Sequence, residues 1–131
     1  MKISTNTRYA LRFLARLASC PEGKTTTASI ASCEGISEKM LERIAAKLKH
    51  EGFVQSTRGI GGGYSLAVPA NEITVTQIIK TMETPYLPLH CSQDHENCAG
   101  SIDCSIYHLM LEVDKAISSV TDSVSIADLV R

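Results

Sequence analysis

The chain has 131 residues, 44% of them apolar, and a net charge of −1. That is one domain's worth of chain with apolar content for a modest core, and no run approaches the ~20 apolar residues that a membrane span needs. The near-neutral total hides a split: residues 1–64 hold ten Lys/Arg against five Asp/Glu, whereas residues 65–131 hold three against nine, the footprint of a local nucleic-acid face on a neutral protein.

The opening MKISTNTRYALRFLARLASC spreads its arginines through the apolar pattern rather than ahead of it. That is unlike a signal peptide, so a cytoplasmic protein with reduced thiols is expected. Residues 5–19 read as a helix with Ala10, Leu11, Phe13, Leu14, Leu17 and Ala18 on its apolar side. Arg8, Arg12 and Arg16 recur every fourth residue and share a face. They are either a solvated stripe or phosphate contacts, with Arg8 at the helix start the best placed for DNA. Pro21, Glu22 and Gly23 end the segment.

Thr26 or Thr27 caps a short helix over about 27–33, Gly35 breaks the chain, and Ser37 caps a third helix over 37–51 that Gly52 stops. Met40, Leu41, Ile44, Ala45 and Leu48 face inward. The stretch ASIASCEGISEKMLERIAAKL therefore fits a helix-turn-helix. Directly after it come a strand over 53–57, a glycine-rich basic turn (Arg58, Gly59, Ile60, Gly61, Gly62, Gly63) and a returning strand from Tyr64 to Ala67. A glycine hairpin tipped by Arg58 behind such a helix reads as a wing. The glycines let the backbone turn tightly and leave room for it to approach another surface. A phosphate-binding loop is the competing reading, disfavoured by the lack of a Gly-Lys-Ser/Thr and of a helix opening straight after the glycines.

Residues 69–71 read as a linker and 74–83 as a helix capped by Thr74, with Val75, Ile78, Ile79 and Met82 on its apolar side and Thr84-Pro85 ending it. Residues 85–104 read as an irregular loop. From Cys104 or Ser105 a long helix runs to about 120, with Ile106, Met110, Val113, Ile117 and Val120 at alternating four- and three-residue spacing. That is a coiled-coil-like seam whose natural partner is the same helix of a second subunit, or failing that its own domain. Ser125 caps a last short helix over 126–130.

Three cysteines, Cys91, Cys98 and Cys104, fall within HCSQDHENCAGSIDCSIYH, separated by six and five residues. This is not the paired spacing of a zinc ribbon. Thiolates favour zinc, copper(I) or iron–sulfur clusters, and a cluster of two or four irons needs a fourth ligand, for which His90, His95 and His108 stand nearby, besides the carboxylates Asp94, Glu96 and Asp103. Cys104 sits near a helix N-terminus, which favours its thiolate. Buried inert thiols, a metal-free thiol switch and a zinc site remain open beside the iron–sulfur reading. Cys20 and Cys33, in the other half, are expected as small core residues, and five cysteines in all is an odd count that disfavours a closed disulfide framework.

Taken together, KISTNTRYALRFLARLA, ISEKMLERIAAKL, RGIGGGYSLA, ITVTQIIKTME and the three-cysteine loop make the chain resemble the Rrf2 family of bacterial transcription regulators over essentially its full length. The resemblance implies a mainly α fold with a small β wing: a winged helix-turn-helix region (1–68), then the cysteine loop and long C-terminal dimerisation helix (69–131). It implies a homodimer on double-stranded DNA, a pseudo-palindromic operator and, in members with three cysteines, an iron–sulfur cluster that controls DNA binding. A [2Fe-2S] cluster is favoured over [4Fe-4S]. The expected ligands are Cys91, Cys98 and Cys104, with His108 as fourth. Members similar to the iron–sulfur assembly regulator carry a histidine three residues after the third cysteine, where this chain has Tyr107. Members similar to the nitric-oxide-sensing repressor use an aspartate near the start of the first helix, where this chain reads Thr7-Arg8-Tyr9.

The expected DNA-facing residues are Arg8, then Ser37, Glu38, Lys39, Met40, Glu42 and Arg43 on the recognition helix, and Arg58, Gly59, Gly61, Gly62, Gly63 and Tyr64 on the wing. Arg43 or Lys39 suits guanine and Glu42 suits cytosine N4, while Arg58 suits the minor groove or its phosphates. The expected activity is cluster-dependent repression of transcription that senses cluster or iron status, nitric oxide or redox stress. A metal-free or zinc-binding regulator or a protein-interaction module is the alternative. An enzyme is not expected, because no spacing assembles a nucleophile, a base and an oxyanion site.

Overall fold

Hydroxyl side chains open the helices. Ser4 Oγ accepts from the Thr7 amide (3.2 Å) and starts α1, Thr5–Ser19. Thr26 Oγ1 accepts from the Ser29 amide (3.1 Å) at the head of α2, Thr27–Glu34, which ends at the left-handed Gly35. Ser37 Oγ accepts from the Met40 amide (3.4 Å) at the head of α3, Glu38–His50. Thr74 and Gln77 form a reciprocal capping box for α4, Val75–Met82. Each bond satisfies an amide that helix geometry leaves without a partner.

The structure is a computed structural model that describes residues 3–83 and 104–130. After α3 the chain forms an antiparallel hairpin, β1 (Val54–Thr57) and β2 (Gly63–Leu66), in the register Val54↔Leu66 to Thr57↔Gly63. A 3₁₀ turn, Ala70–Glu72, leads into α4, and α5 spans Ser105–Asp122. The architecture is therefore mainly helical with one two-stranded wing. Boundaries read from the sequence hold to within two residues. The terminal segment departs: the helix expected over 126–130 is a single 3₁₀ turn, Ala127–Leu129. The Ser125 and Asp128 side chains cap each other's backbone amides and close one turn, after which Val130 is already extended.

One hydrophobic cluster takes residues from both halves of the chain. Ala10, Phe13, Leu14 and Leu17 of α1 meet Ile30, Ile36, the inner face of α3 (Leu41, Ile44, Ala45, Leu48) and Val54, together with Ile73, Ile78 and Ile126. Two backbone bonds fasten the C-terminal end to the head of α4: the Ile126 amide donates to Ile73 O (2.8 Å) and the Val75 amide to Val124 O (2.9 Å). The Thr76 and Thr121 hydroxyls also bond to each other, joining α4 to α5. Elsewhere α5 is sparsely covered: it has no buried residue, and Ile106, Leu109 and Val120 are 53%, 54% and 65% exposed. Among the described residues no helix is long and apolar enough to cross a membrane.

Ile126 lies four residues before the last described position, yet is fully buried. Ile126→Ala is expected to cost about 2–5 kcal/mol, read as a lower urea midpoint in a single transition. A second, separate transition would show that the C-terminal segment folds apart from the helix-turn-helix.

Candidate nucleic-acid interface and thiol site

The recognition helix presents an ordered charge pattern. Glu38, Lys39, Glu42 and Arg43 are exposed, Met40 is half-buried against the core, and the Ser37 hydroxyl is occupied as the cap. At the far end of α3, Lys49 Nζ donates to Ser56 Oγ of β1 (2.7 Å), tying the recognition helix to the wing. The wing is fastened a second time. Thr25, just ahead of α2, exchanges backbone bonds with Tyr64 (3.0 and 2.7 Å), so β2 pairs on both sides.

The wing residues divide into two groups. Arg58, Gly59 and Gly61 are exposed. Gly62, Gly63 and Tyr64, also expected on the DNA side, are half-buried and crowded by the protein's own atoms. A Cβ on Gly62 would lie 2.3 Å from Thr57 O, and one on Gly63 2.6 Å from Thr25 O. The room these two glycines leave is thus taken by the protein's own backbone. The Tyr64 ring packs edge-on to Phe13, with centroids 5.9 Å apart.

The arginine stripe on α1 also divides. Arg8 is exposed, with only a 3.5 Å bond to Thr5 Oγ1. Arg12 and Arg16 converge on Glu34, the last residue of α2. Arg12 Nε donates to Glu34 Oε2 (2.7 Å), an Arg12 terminal nitrogen donates to Glu34 O (2.7 Å), and Arg16 Nε donates to Glu34 Oε1. The hydrogen bond from Arg16 holds the Glu34 carboxyl below the usual carboxylate range; burial opposes this, and Arg12 adds to it. Two of the three arginines therefore clamp α2 and the helix-turn-helix turn to α1. Periodicity showed that they share a face, but their partner lies 18 and 22 residues away. The available signal was Glu34 itself, the single charge on the helix TASIASCE.

A second acid was also missed. Glu83, the C-cap of α4, accepts from the Ser4 amide (2.8 Å) and from the buried Thr7 hydroxyl. The first turn of α1 has no acidic residue of its own, so Glu83 brings a negative charge to the positive end of that helix. Burial pushes its carboxyl up, but the hydrogen bonds from Thr7 and Ser4, with Lys47 nearby, hold it below the usual range. Glu83 is also the last described residue before the cysteine segment.

Of the expected cluster ligands, Cys91 and Cys98 lie outside the described residues. Cys104 is the half-buried N-cap of α5, and its side chain makes no capping bond. The His108 amide donates to Cys104 O (3.3 Å), which puts the exposed imidazole one turn further along, with Tyr107 edge-on to it. An uncommitted thiol at a helix N-terminus with an imidazole one turn away suits a thiolate-binding group. Among the described residues no group of three or more His, Cys, Asp or Glu converges on one point. Cys20 is half-buried, with Sγ 3.2 Å from Lys24 O. Cys33, expected in the core, is exposed. α2 is only eight residues long, and Thr27 and Ile30 make up its whole buried set.

A family profile described as Rrf2, iron-dependent transcriptional regulator, matches residues 3–131. The structure of CymR, the global cysteine regulator of Bacillus subtilis, superposes with a TM-score of 0.81 at 33% identity, covering 98% of this chain and 95% of that one. The structure of T. potens IscR superposes at 0.78 and 34%, covering 98% and 85%. The transcriptional regulator IscR of Aliivibrio salmonicida is 33% identical over 98% of this chain and 77% of its own length.

The Glu34 clamp has a pH signature. Because the folded carboxyl titrates below its unfolded value, its contribution is whole above the usual carboxylate range and is lost as the pH falls through the depressed value. The two arginine side chains are about half exposed, 46% and 50%, so the screened contribution is small. Glu34→Gln is expected to cost up to about 1 kcal/mol at pH 7. The gap between wild type and variant in urea unfolding should close as the pH is lowered through the carboxylate range.

Proposed function

This chain belongs to the Rrf2 family of DNA-binding transcription regulators, and on that premise we propose that it is an iron–sulfur-dependent repressor acting as a homodimer in the cytoplasm. The DNA reader would be α3, with Lys39, Glu42 and Arg43 toward base edges in the major groove and Arg58 at the adjacent minor groove or its phosphates. Arg8 adds a phosphate contact at the start of α1. The second copy would pair along the exposed Ile106 and Val120 and the half-buried Met110, Val113 and Ile117 of α5. A two-fold protein of this kind reads a pseudo-palindrome.

The observation that carries cluster dependence is the Cys104–His108 pair: a thiol without a capping bond and an imidazole one turn apart. Cys91 and Cys98 stand close before it in sequence. Cys91, Cys98 and Cys104 would hold the cluster, [2Fe-2S] in preference to [4Fe-4S], with His108 as fourth ligand. When bound, the cluster supplies a redox-sensitive cross-link among these side chains. The protein's own part is to offer thiolates, to fix the Cys104 end of α5, and to carry the state of the segment to the reading head. A second reading, a regulator that responds to cysteine supply without a cluster, is supported by the likeness to the global cysteine regulator CymR, at 33% identity over 98% of this chain beside 34% for IscR.

Anaerobic purification with iron, sulfide and zinc analysis and Mössbauer spectroscopy separates the two readings. The expected protein is brown, with visible charge-transfer bands that Cys104→Ser abolishes and His108→Ala shifts. A colourless wild type without iron would leave the second reading. A His108→Ala spectrum identical to wild type would assign the fourth ligand elsewhere. Loaded and apo protein are expected to differ in operator affinity at matched salt, and equal binding across salt concentrations would remove the sensor role.

For the wing, Arg58→Ala is expected to weaken binding to all duplexes alike and to lower the slope of log affinity against log salt by about one. Fluorescence anisotropy over 50–200 mM salt reads both effects. An unchanged slope would take Arg58 off the phosphates.

A further inference from the structure

Ile60 is the most exposed large apolar residue among those described, at 110% of the reference area. It stands at the tip of the wing, in a four-residue turn closed by the Gly62 amide on Gly59 O (3.0 Å). Gly61 takes the positive φ (72°) at the third position, so Ile60 holds the second, a corner of the turn. Nothing lies within 4 Å of where a Cβ would stand on either neighbour, Gly59 or Gly61. At full exposure the Ile60 side chain buries no apolar surface in the fold.

The turn is nonetheless rigidly mounted. Beneath it, β1 and β2 pair through Thr57↔Gly63, β2 pairs again with Thr25, and Tyr64 is seated on Phe13. Gly62 is wedged against the carbonyls of Thr57 and Gly59. Lys49 fixes β1 to the end of the recognition helix. A bulky apolar group is thus held at a set distance from α3, beside the exposed Arg58.

An isolated surface isoleucine by itself needs no explanation. This one is at the leading point of a basic hairpin in a DNA-binding regulator, where the surfaces that reward an apolar group are the sugar walls of the minor groove and the faces of the base pairs. Arginine draws the hairpin toward a narrow minor groove, and apolar side chains that enter there part neighbouring base pairs at flexible steps.

We propose that Ile60 is a specificity-determining residue of the wing: its side chain presses into the minor groove beside Arg58 and favours operators with an easily unstacked pyrimidine–purine step at that point. The inference rests on the wing meeting the minor groove, and Arg58→Ala tests that premise separately.

The test uses the full-length wild type, Ile60→Ala and Ile60→Leu with a duplex obtained by in vitro selection on the wild type. A 2-aminopurine at each candidate step reports unstacking. Ile60→Ala is expected to keep the melting temperature, to bind the selected duplex about tenfold more weakly, the scale of one mismatched step, and to bind random duplex as before. It should also lose the 2-aminopurine signal and the preference for the flexible step, while Ile60→Leu keeps both. Equal affinity and equal step preference for Ile60→Ala would overturn the proposal, and if Arg58→Ala still weakens binding, the wing reading survives without it. Equal weakening on selected and random DNA would also overturn it, because a general contact carries no step preference.

Discussion

The structure depends on α1 being used on two sides at once. Its apolar stripe, Ala10, Phe13, Leu14 and Leu17, is the surface on which the recognition helix, the wing strand, α4 and the C-terminal turn all find cover. A protein of this size has little interior to share. Placing four segments on one helix lets a short chain build a common core, and fixes their mutual positions by packing rather than by linker length. Phe13 illustrates this, because it is fully buried and also receives the Tyr64 ring from the wing.

The polar side of the same helix is tied by acids that come from elsewhere. Glu34 arrives from the end of α2 and Glu83 from the end of α4. Each is the terminal residue or cap of a helix, one leading into the helix-turn-helix turn and the other into the cysteine segment. Both carboxyls are held below their ordinary range by donors on α1. The end of α2 and the end of α4 therefore share one neighbour, α1. Physical coupling requires such contiguity, although contiguity alone does not establish it.

Most of the fold was legible because local chemistry and periodicity agree. Ser37, Thr26 and Thr74 cap the helices that they were expected to cap, and the inner face of α3 follows its apolar spacing. The hairpin followed from its glycines. What escaped were choices between partners far apart in sequence. Arg12 and Arg16 had the right spacing for a phosphate stripe, but only tertiary structure brings Glu34 to them. Tyr64 and Gly62 were placed on the wing by the sequence pattern, but the contacts they make with Phe13 and Thr57 had no local signature. Cys33 sits in a helix too short to show a period, so its exposure had no local signature.

The way α5 is fastened gives that helix mechanical leverage. Its C-terminal end is held to the head of α4 by the Thr76–Thr121 hydroxyls and by the backbone bonds of Val75 and Ile126. Cys104 caps its other end, 18 residues away, or about 27 Å at the helical rise. A pivot at one end and a ligand-type side chain at the other make the helix an arm. By geometry, a tilt of a few degrees about the threonine pair would displace the Cys104 tip by about 2 Å. Ile106 and Leu109 ride near the tip, so in a paired assembly the same swing would change how two copies meet before it changed how either is folded.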